Sequence, residues 1–437
     1  MQSAESVIQA IGRFYRSLQV SKVWVAYSGG LDSHVLLQGL VELKPVHIEL
    51  AAIHVHHGLQ AEADSWVTHC QSVCNALQVP LQVEYVEVDK SQNIESVARQ
   101  ARYQAFEKWV EENEVICTGH HQRDQAETLL LNLMRGAGLE GLSAMPERRV
   151  LGNQADLTNH QAWLVRPLLN TSYEAVQDYA KQHQLDWVED PTNQHVEYRR
   201  NFIRHQLLPL LDQAWSNPQA KLAQASAHQA EAAELLHELA QNDLAEIEHD
   251  RTRLNWHQLQ KFNWSRQKNA LRYWFKRFHQ VSIDQVSLDW LRSDGFNDNP
   301  DAQPKRMFKQ AEIRRYQNWI YLLDESAIKQ PFSVLVQQDS DWVKQGIKRV
   351  PTLGNGIAQH WLEPENEVRI RSLREDDQVN RDSLKKWFQA QKIPPWQRQN
   401  WPVVEINSQL AVIIGYRTLD GFQAKSDEKA LKLVGLN

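Results

Sequence analysis

Apolar positions in the first two hundred residues switch repeatedly between two periods. Residues 1–20 carry them at helical spacing and predict an amphipathic helix. A continuous apolar run, Val23-Trp24-Val25-Ala26-Tyr27, then reads as a buried strand that stops at Ser28-Gly29-Gly30. The helical period resumes over 34–43. Further strand runs fall at 50–55, 81–86 and 115–118, with helical stretches at 64–77 and 94–112 between them. Strands alternating with helices of this length predict an α/β fold, a parallel sheet with helices on both faces. Such sheets bind ligands beyond the carboxyl ends of their strands.

The alternation ends near Trp215. Residues 216–250 are rich in Ala, Gln, His and Glu and read as long helix. Residues 252–325 look helical and then mixed, and from about 331 short Val/Ile runs separated by Gly and Pro return. A chain of 437 residues is too long for one ordinary core. The expected division is 1–215 as the α/β domain, 216–330 as a mostly helical middle domain and 331–437 as a small α+β domain. No internal repeat of fixed period is visible.

Composition narrows the class. With 42% apolar and 23% charged residues the chain reads as globular. It contains no run of about 18 uncharged apolar residues, and its first residues have neither a basic start nor an apolar signal core. A cytoplasmic protein without a membrane partner is expected, and no obligate protein partner is evident. Cys70, Cys74 and Cys117 make no C-x-x-C and no zinc quartet, so reduced, mostly buried thiols are expected. The net charge of −6 gives no global case for nucleic acid. Any such case rests on local patches. Sixteen Trp residues are expected mostly in cores and domain contacts.

Chemistry enters at Ser28-Gly29-Gly30-Leu31-Asp32-Ser33, between the first strand and its helix. Two glycines let the backbone turn tightly and approach a ligand. Successive N–H groups there, added to the positive helix terminus, make a concave anion site. Ser28 and Ser33 add hydroxyl donors, and Asp32 can hold Mg²⁺ against phosphate oxygens. No Lys follows the glycines, so this is not the Walker pattern. The plain alternative is a glycine-rich turn without a ligand.

Two further clusters lie at predicted strand ends. In Ile53-His54-Val55-His56-His57-Gly58-Leu59, alternation turns His54 and His56 to one face. They read as polar ends of a nucleotide pocket or as satisfied histidines before they read as metal ligands. Gly119-His120-His121-Gln122-Arg123-Asp124-Gln125-Ala126-Glu127-Thr128 starts a helix whose first turn carries Asp124 and Glu127 on neighbouring positions. An acidic N-cap at Asp124, forming a capping box with Glu127, explains them equally well.

Together these three motifs resemble the tRNA(Ile)-lysidine synthetase family within the PP-loop ATP pyrophosphatases. Ala98-Arg99-x-x-Arg102-Tyr103, Arg135-Gly136, Gly141-Leu142, Arg166-Pro167-Leu168-Leu169, Glu189-Asp190-Pro191-x-Asn193 and Arg200-Asn201-Phe202-Ile203-Arg204 extend the likeness. Lys385-Lys386 and Ile393-Pro394-Pro395-Trp396-Gln397-Arg398 resemble the family's terminal domain, whereas the middle region carries little of it. One position departs: the family usually has two acidic residues before the Gln, and here the first is Arg123. That departure leaves Asp32 and Asp124 as the expected Mg²⁺ carriers.

The resemblance implies an ATP-binding loop of Ser28, Gly29, Gly30, Leu31, Asp32 and Ser33, with His54 at the pocket. It implies that the C2 oxygen of the wobble cytidine in isoleucine tRNA with a CAU anticodon attacks the α-phosphate of ATP. Free L-lysine then displaces AMP to leave lysidine. By the same resemblance Asp124 and Glu127 would orient and deprotonate the lysine ammonium, and His120 would contact the intermediate. Arg102, Arg200 and Arg204 would hold the α-phosphate or the tRNA backbone. For each arginine, surface salt-bridging is the competing explanation.

Two basic patches supply candidate RNA contacts. Residues 261–280 hold Lys261, Arg266, Lys268, Arg272, Lys276 and Arg277 and no acidic residue, with Trp264, Tyr273, Trp274 and Phe275 interleaved. A solvated helix face backed by core aromatics would look the same. Residues 381–398 hold Arg381, Lys385, Lys386, Lys392 and Arg398 against Asp382, with Trp396 bracing a loop or stacking on RNA. Within enzymes the runner-up is a PP-loop tRNA thiolation enzyme, disfavoured by the missing cysteine pair. A non-catalytic RNA-binding protein on the same fold is the reading from another class.

Overall fold

In the computed structural model, residues 6–58, 62–87, 94–152, 162–295, 304–309, 311–324 and 331–435 are described; Leu59 of the second motif lies outside them. The chain forms two compact units, Met1–Gln241 and Asn242–Asn437.

The first unit opens with α1 (Val7–Arg16). Its N-terminus is set by Ser6, whose Oγ accepts the Gln9 N–H while the Gln9 side chain accepts the Ser6 N–H. There follow β1 (Lys22–Ala26), α2 (Leu31–Leu43), β2 (Glu49–His56), α3 (Ala63–Ala76), β3 (Leu81–Tyr85), α4 (Ile94–Trp109) and β4 (Glu114–Cys117). Each lies within a few residues of the element its apolar pattern predicts. Val23 and Val25 pack on one face of the sheet with Leu36, Leu40 and Ile11. Trp24 packs on the other with Ile53, Phe106 and Ile116. Burial on both faces is why β1 reads as a run and not as an alternation.

Beyond β4 come α5 (Gln122–Met134), the one-turn α6 (Leu139–Leu142), β5 (Arg148–Val150), β6 (Trp163–Val165) and α7 (Tyr173–Gln182). The sheet order is β3-β2-β1-β4-β6-β5, parallel throughout except for the edge pair β5–β6, which is antiparallel. The expected parallel sheet is therefore mostly parallel. Strands of three residues are too short to show a period, which is why β5 and β6 escape the sequence pattern.

From β1 the chain winds to β2 and β3 on one side, then returns to β4 on the other. The loops after β1 and β4 consequently open side by side at the point where ligands bind in such sheets. Gly119 makes that approach possible. A Cβ there would lie 2.6 Å from the Asp32 carbonyl oxygen and 3.0 Å from the Ser33 nitrogen.

The unit is completed by α8 (Arg199–Phe202), a five-residue π turn at Ile203–Leu207, α9 (Leu208–Ala214) and all but the last turn of α10 (Pro218–Ala245). One local expectation is corrected: α5 is capped by His121, not Asp124. The Asp124 carboxylate accepts the His121 N–H from the N3 position, so the box sits three residues earlier than the acidic pair suggested.

The second unit begins with an antiparallel sheet of order β7-β10-β9-β8, made of β7 (Arg253–Asn255), β8 (Lys305–Phe308), β9 (Ala311–Tyr316) and β10 (Trp319–Asp324). Against it pack α11 (Trp256–Leu259), α12 (Trp264–His279) and α13 (Gln285–Trp290), around Leu254, Trp274, Phe275 and Ile313. A separate core around Ile347, Ile370, Val404 and Val412 follows. Its five-stranded sheet joins β11 (Ser333–Leu335), β14 (Val368–Ser372), β15 (Pro402–Ile406), β16 (Gln409–Ile413) and β17 (Arg417–Thr418). Its three-stranded sheet joins β12 (Ile347–Leu353), β13 (Ile357–Ala358) and β18 (Lys429–Gly435). Helices α14 (Asp339–Lys344), α15 (Arg381–Ala390) and α16 (Pro395–Arg398) complete the α+β part. Among the described residues no helix is long and apolar enough to cross a membrane.

The close approach at Gly119 is directly testable. Gly119→Ala should lower stability by about 1–3 kcal/mol through overpacking against fixed backbone. Gly138→Ala, where a Cβ meets nothing within 4 Å, should be near neutral. Urea unfolding of both variants measures the difference, and equal stabilities would contradict the packing.

Candidate active site

The loop after β1 is held open by its own side chains. Gly29 sits at φ +83°, and an added Cβ would also meet Cys70 Sγ and Val188 Cγ2 at 3.0 Å. Its carbonyl accepts the Val188 N–H at 3.0 Å. The Ser33 hydroxyl donates to the Gly30 carbonyl (2.9 Å) and accepts the Ser28 N–H (3.2 Å), with Ser28 Oγ 3.1 Å away. Gly30 is the N-cap of α2 and has no side chain to satisfy the first-turn amides. Uncapped N–H groups at a positive helix terminus are an anion site. Leu31 starts that helix and Asp32 stands in its first turn.

Across the gap, Asp124 and Glu127 are buried and paired. The Glu127 side chain is 0% exposed and the Asp124 side chain 8%. Arg200 donates Nε to Glu127 Oε2 at 2.6 Å and Nη2 to Asp124 Oδ1 at 3.0 Å. Arg204 donates Nε to Glu127 Oε1 at 2.7 Å and Nη2 to Glu127 Oε2 at 3.0 Å. The two arginines stand four apart, one on α8 and one in the π turn, a distortion frequent at functional sites. Asn201 fixes their approach, since its Nδ2 donates to the carbonyls of Thr192 and His195, both at 2.9 Å. Asp190 in turn accepts the Thr192 N–H. Burial works against charge on Asp124, but His121 and Arg200, with the His121 backbone N–H, hold its carboxyl well below the usual range.

His121 joins this cluster to the loop. It is fully buried, and its Nδ1 accepts the Arg123 N–H at 3.3 Å. The proton-bearing Nε2 therefore faces Asp32 Oδ1 and Asp124 Oδ2, each 3.5 Å away. One ligand atom from each of Asp32, His121 and Asp124 falls within 4.8 Å of the others, and Asp32 Oδ1 is a buried oxygen without a hydrogen-bond partner. A hard divalent cation prefers the two carboxylates, and with its hydrogen on Nε2 the imidazole is a donor and not a ligand. The donor set fits Mg²⁺ on Asp32 and Asp124.

The remaining expected residues spread around this centre. His120 Nδ1 lies 2.8 Å from Thr118 Oγ1. Burial pushes its imidazole down to about 3 against the opposing pull of Asp124, helped by Arg166, Arg200 and Arg99, so it is neutral at physiological pH. His54 is buried with Nδ1 3.0 Å from the Tyr27 carbonyl, directly before the loop. That contact makes it a brace for the strand end. Arg102 is exposed on α4, within electrostatic reach of His54 and His57. Arg123, the departing residue, lays its guanidinium 3.4 Å from the Tyr173 ring centre, and His121 stacks on the same tyrosine at 5.2 Å.

In the second unit, Lys268 is half-buried and Arg272, Lys385 and Lys386 are exposed. Tertiary contacts shrink both patches. Arg266 is ion-paired with Asp243, and Trp274 and Phe275 are fully buried in the core. Trp396 is buried edge-on against Tyr316 and Tyr321, bracing its loop. Arg398 donates Nε to the Ile393 carbonyl at 2.8 Å and Nη2 to Tyr316 at 2.9 Å.

Comparison with known proteins identifies the family. A PP-loop domain model matches residues 3–211, a TilS substrate binding domain 254–321 and a TilS substrate C-terminal domain 368–434. The tRNA(Ile)-lysidine synthase of Hydrogenovibrio crunogenus is 37% identical over 405 residues, 91% of this chain and 94% of that protein. Those of Coxiella burnetii and Pseudomonas fluorescens are 35% and 37% identical, over 93% and 91% of this chain and 92% and 90% of theirs.

The chain belongs to the tRNA(Ile)-lysidine synthase family.

Membership accounts for the motifs that periodicity left unexplained. The sequence pattern singled out His120 and not His121, the histidine that stands between Asp32 and Asp124. The doubled histidine at a strand end carried the signal, but only the cap geometry tells the two apart. Tyr173 gave no signal, because its partners come from 50 residues away.

The clamp predicts strong coupling. Arg200→Met should destabilise the chain by roughly 3 kcal/mol by leaving buried charge underpaired. Adding Glu127→Gln should restore part of that loss, with a coupling above about 1 kcal/mol in urea unfolding. Additive effects would contradict the clamp.

Proposed function

We propose that this chain ligates lysine to C2 of the wobble cytidine of isoleucine tRNA bearing a CAU anticodon, using ATP. The observation that carries the reading is the meeting of an uncapped, glycine-turned helix start with a buried pair of carboxylates at the switch point of the sheet. One offers donors to polyphosphate and the other an anionic cradle to an ammonium.

On this reading the Ser28–Ser33 loop receives the β- and γ-phosphates. The cytosine O2 attacks the α-phosphorus, and the bond to pyrophosphate breaks as loop amides take up developing charge. Mg²⁺ on Asp32 and Asp124 would neutralise phosphate charge. The lysine amine then attacks C2, AMP leaves, and a carboxylate of the pair accepts the amine proton. Before substrates arrive Arg200 and Arg204 neutralise Asp124 and Glu127. An entering lysine ammonium takes over part of that pairing, and the guanidiniums are then available to the α-phosphate. A neutral His120 and an exposed Arg102 flank the acceptor base.

The division 1–215, 216–330 and 331–437 assigns catalysis to the first part. Grip on the tRNA body falls to the later parts, through Lys268, Arg272, Lys385 and Lys386, with Arg398 supporting the terminal loop. Thiolation is not favoured: burial pushes the Cys70 and Cys74 thiols up to about 12 and Cys117 well above its ordinary value, so none is a ready sulfur nucleophile. A non-catalytic RNA binder is not favoured either, since Asp32, Asp124 and Glu127 converge.

Glu127→Gln should slow lysine transfer by about a hundredfold or more while pyrophosphate release from ATP and CAU-bearing isoleucine tRNA falls far less. Parallel assays of pyrophosphate and lysidine check this. Equal loss in both half-reactions would contradict the role of Glu127.

A further inference from the structure

A second cluster beside the acidic clamp has no carboxylate partner among the described residues. Helix α4 and the β5–β6 ribbon bring Arg99, Arg149 and Arg166 around one aromatic ring, that of Tyr103. Arg149 lies 4.3 Å and Arg99 5.1 Å from the ring centre, and Arg99 Nη2 donates to the Tyr103 hydroxyl at 3.0 Å. Arg166 is 2% exposed; its Nη1 donates to the Pro146 carbonyl at 2.6 Å. The Nε groups of Arg149 and Arg166 are buried without any hydrogen-bond partner.

Among the described residues, no carboxylate lies within ion-pair distance of these three arginines. Arg200 and Arg204 in the same unit share two carboxylates. Buried guanidinium without a counter-ion is costly, and a native fold retains it where an anion completes the site. Burial, with Arg149 and Arg99 nearby, brings Arg166 down to about 10, and Tyr103 offsets this only in part. His120 lies within electrostatic reach of Arg166, Arg99 and Arg200 alike, so the cluster adjoins the clamp.

Resting on the proposed function, we infer that Arg99, Arg149 and Arg166 bind a backbone phosphodiester of the RNA strand flanking the acceptor base. Guanidinium forks match phosphate oxygens. The triphosphate of ATP has its own donors in the loop after β1, whereas this cluster belongs to the β5–β6 edge, beyond β4. A ligand serving both places is an extended polyanion whose base reaches the clamp while its backbone crosses the neighbouring strands.

The test uses the full chain with Arg99→Gln and Arg149→Gln made singly, because Arg166→Gln risks the fold. Binding of CAU-bearing isoleucine tRNA is measured between about 50 and 200 mM salt, alongside KM for ATP. Each variant should bind several-fold more weakly, with the slope of log K against log salt reduced by about 0.7–1, and KM for ATP should stay within about twofold. Arg149→Lys, which keeps the charge, should retain the slope. Unchanged binding and slope would make the arginines purely structural. A raised KM for ATP with an unchanged slope would assign the cluster to the nucleotide. Either result overturns the inference while wild-type pyrophosphate release still depends on the tRNA; loss of that dependence in the wild type would instead sink the proposed function.

Discussion

Two carboxylates at the start of α5 lie almost wholly out of water, and everything else at the strand ends is arranged around that cost. An isolated buried carboxylate would be driven to its neutral form. Here Arg200 and Arg204 supply five close donor contacts to Asp124 and Glu127. Those arginines arrive more than seventy residues later in the chain, so the acidic pair is stable only once α8 has docked. The Asp190–Thr192–Asn201 bonds and the π turn are the local means of aiming both guanidiniums at one target.

The same constraint shapes the nucleotide side. Gly119 lets the strand end that carries His120 and His121 press against the backbone of Asp32 and Ser33. His121 then spans the gap to both aspartates. Loop, imidazole and acidic pair thus form one polar unit beneath the opening. A change in any of them is felt at the others, and side chains that read as separate motifs along the sequence act as one site in space. Arg123 fits this unit through Tyr173, stacking where a third carboxylate would have added to an already crowded negative charge.

What the sequence made legible follows from range. The buried strands β1, β2 and β4 were visible because residues facing two cores leave apolar runs, and the half-buried edge strand β3 because its apolar residues alternate. The turn at Ser28–Ser33 was visible because it is contiguous and its two glycines mark a tight strand-to-helix bend. Pairing of Glu127 with Arg200 was not, since no local pattern tells a guanidinium which carboxylate it will meet. Arg266 shows the reverse error: a window without acidic residues looks strongly basic until Asp243 comes in from α10. Of its two readings, Trp396 takes that of bracing its loop, buried against Tyr316 and Tyr321, and Arg398 donates to the same Tyr316. Three-residue strands such as β5 carry too little pattern to find, and with them went Arg149.

In the proposed reaction the loop after β1 presents ATP so that its α-phosphorus is handed to the base. The most direct measurement is a single-turnover reaction of the chain with ATP labelled at the α-phosphate and CAU-bearing isoleucine tRNA, lysine withheld. Label should become covalently attached to the tRNA, with one pyrophosphate released per label, and should be discharged as AMP when lysine is added. Cleavage of ATP that leaves the RNA unlabelled, or labelling that lysine does not discharge, would contradict it.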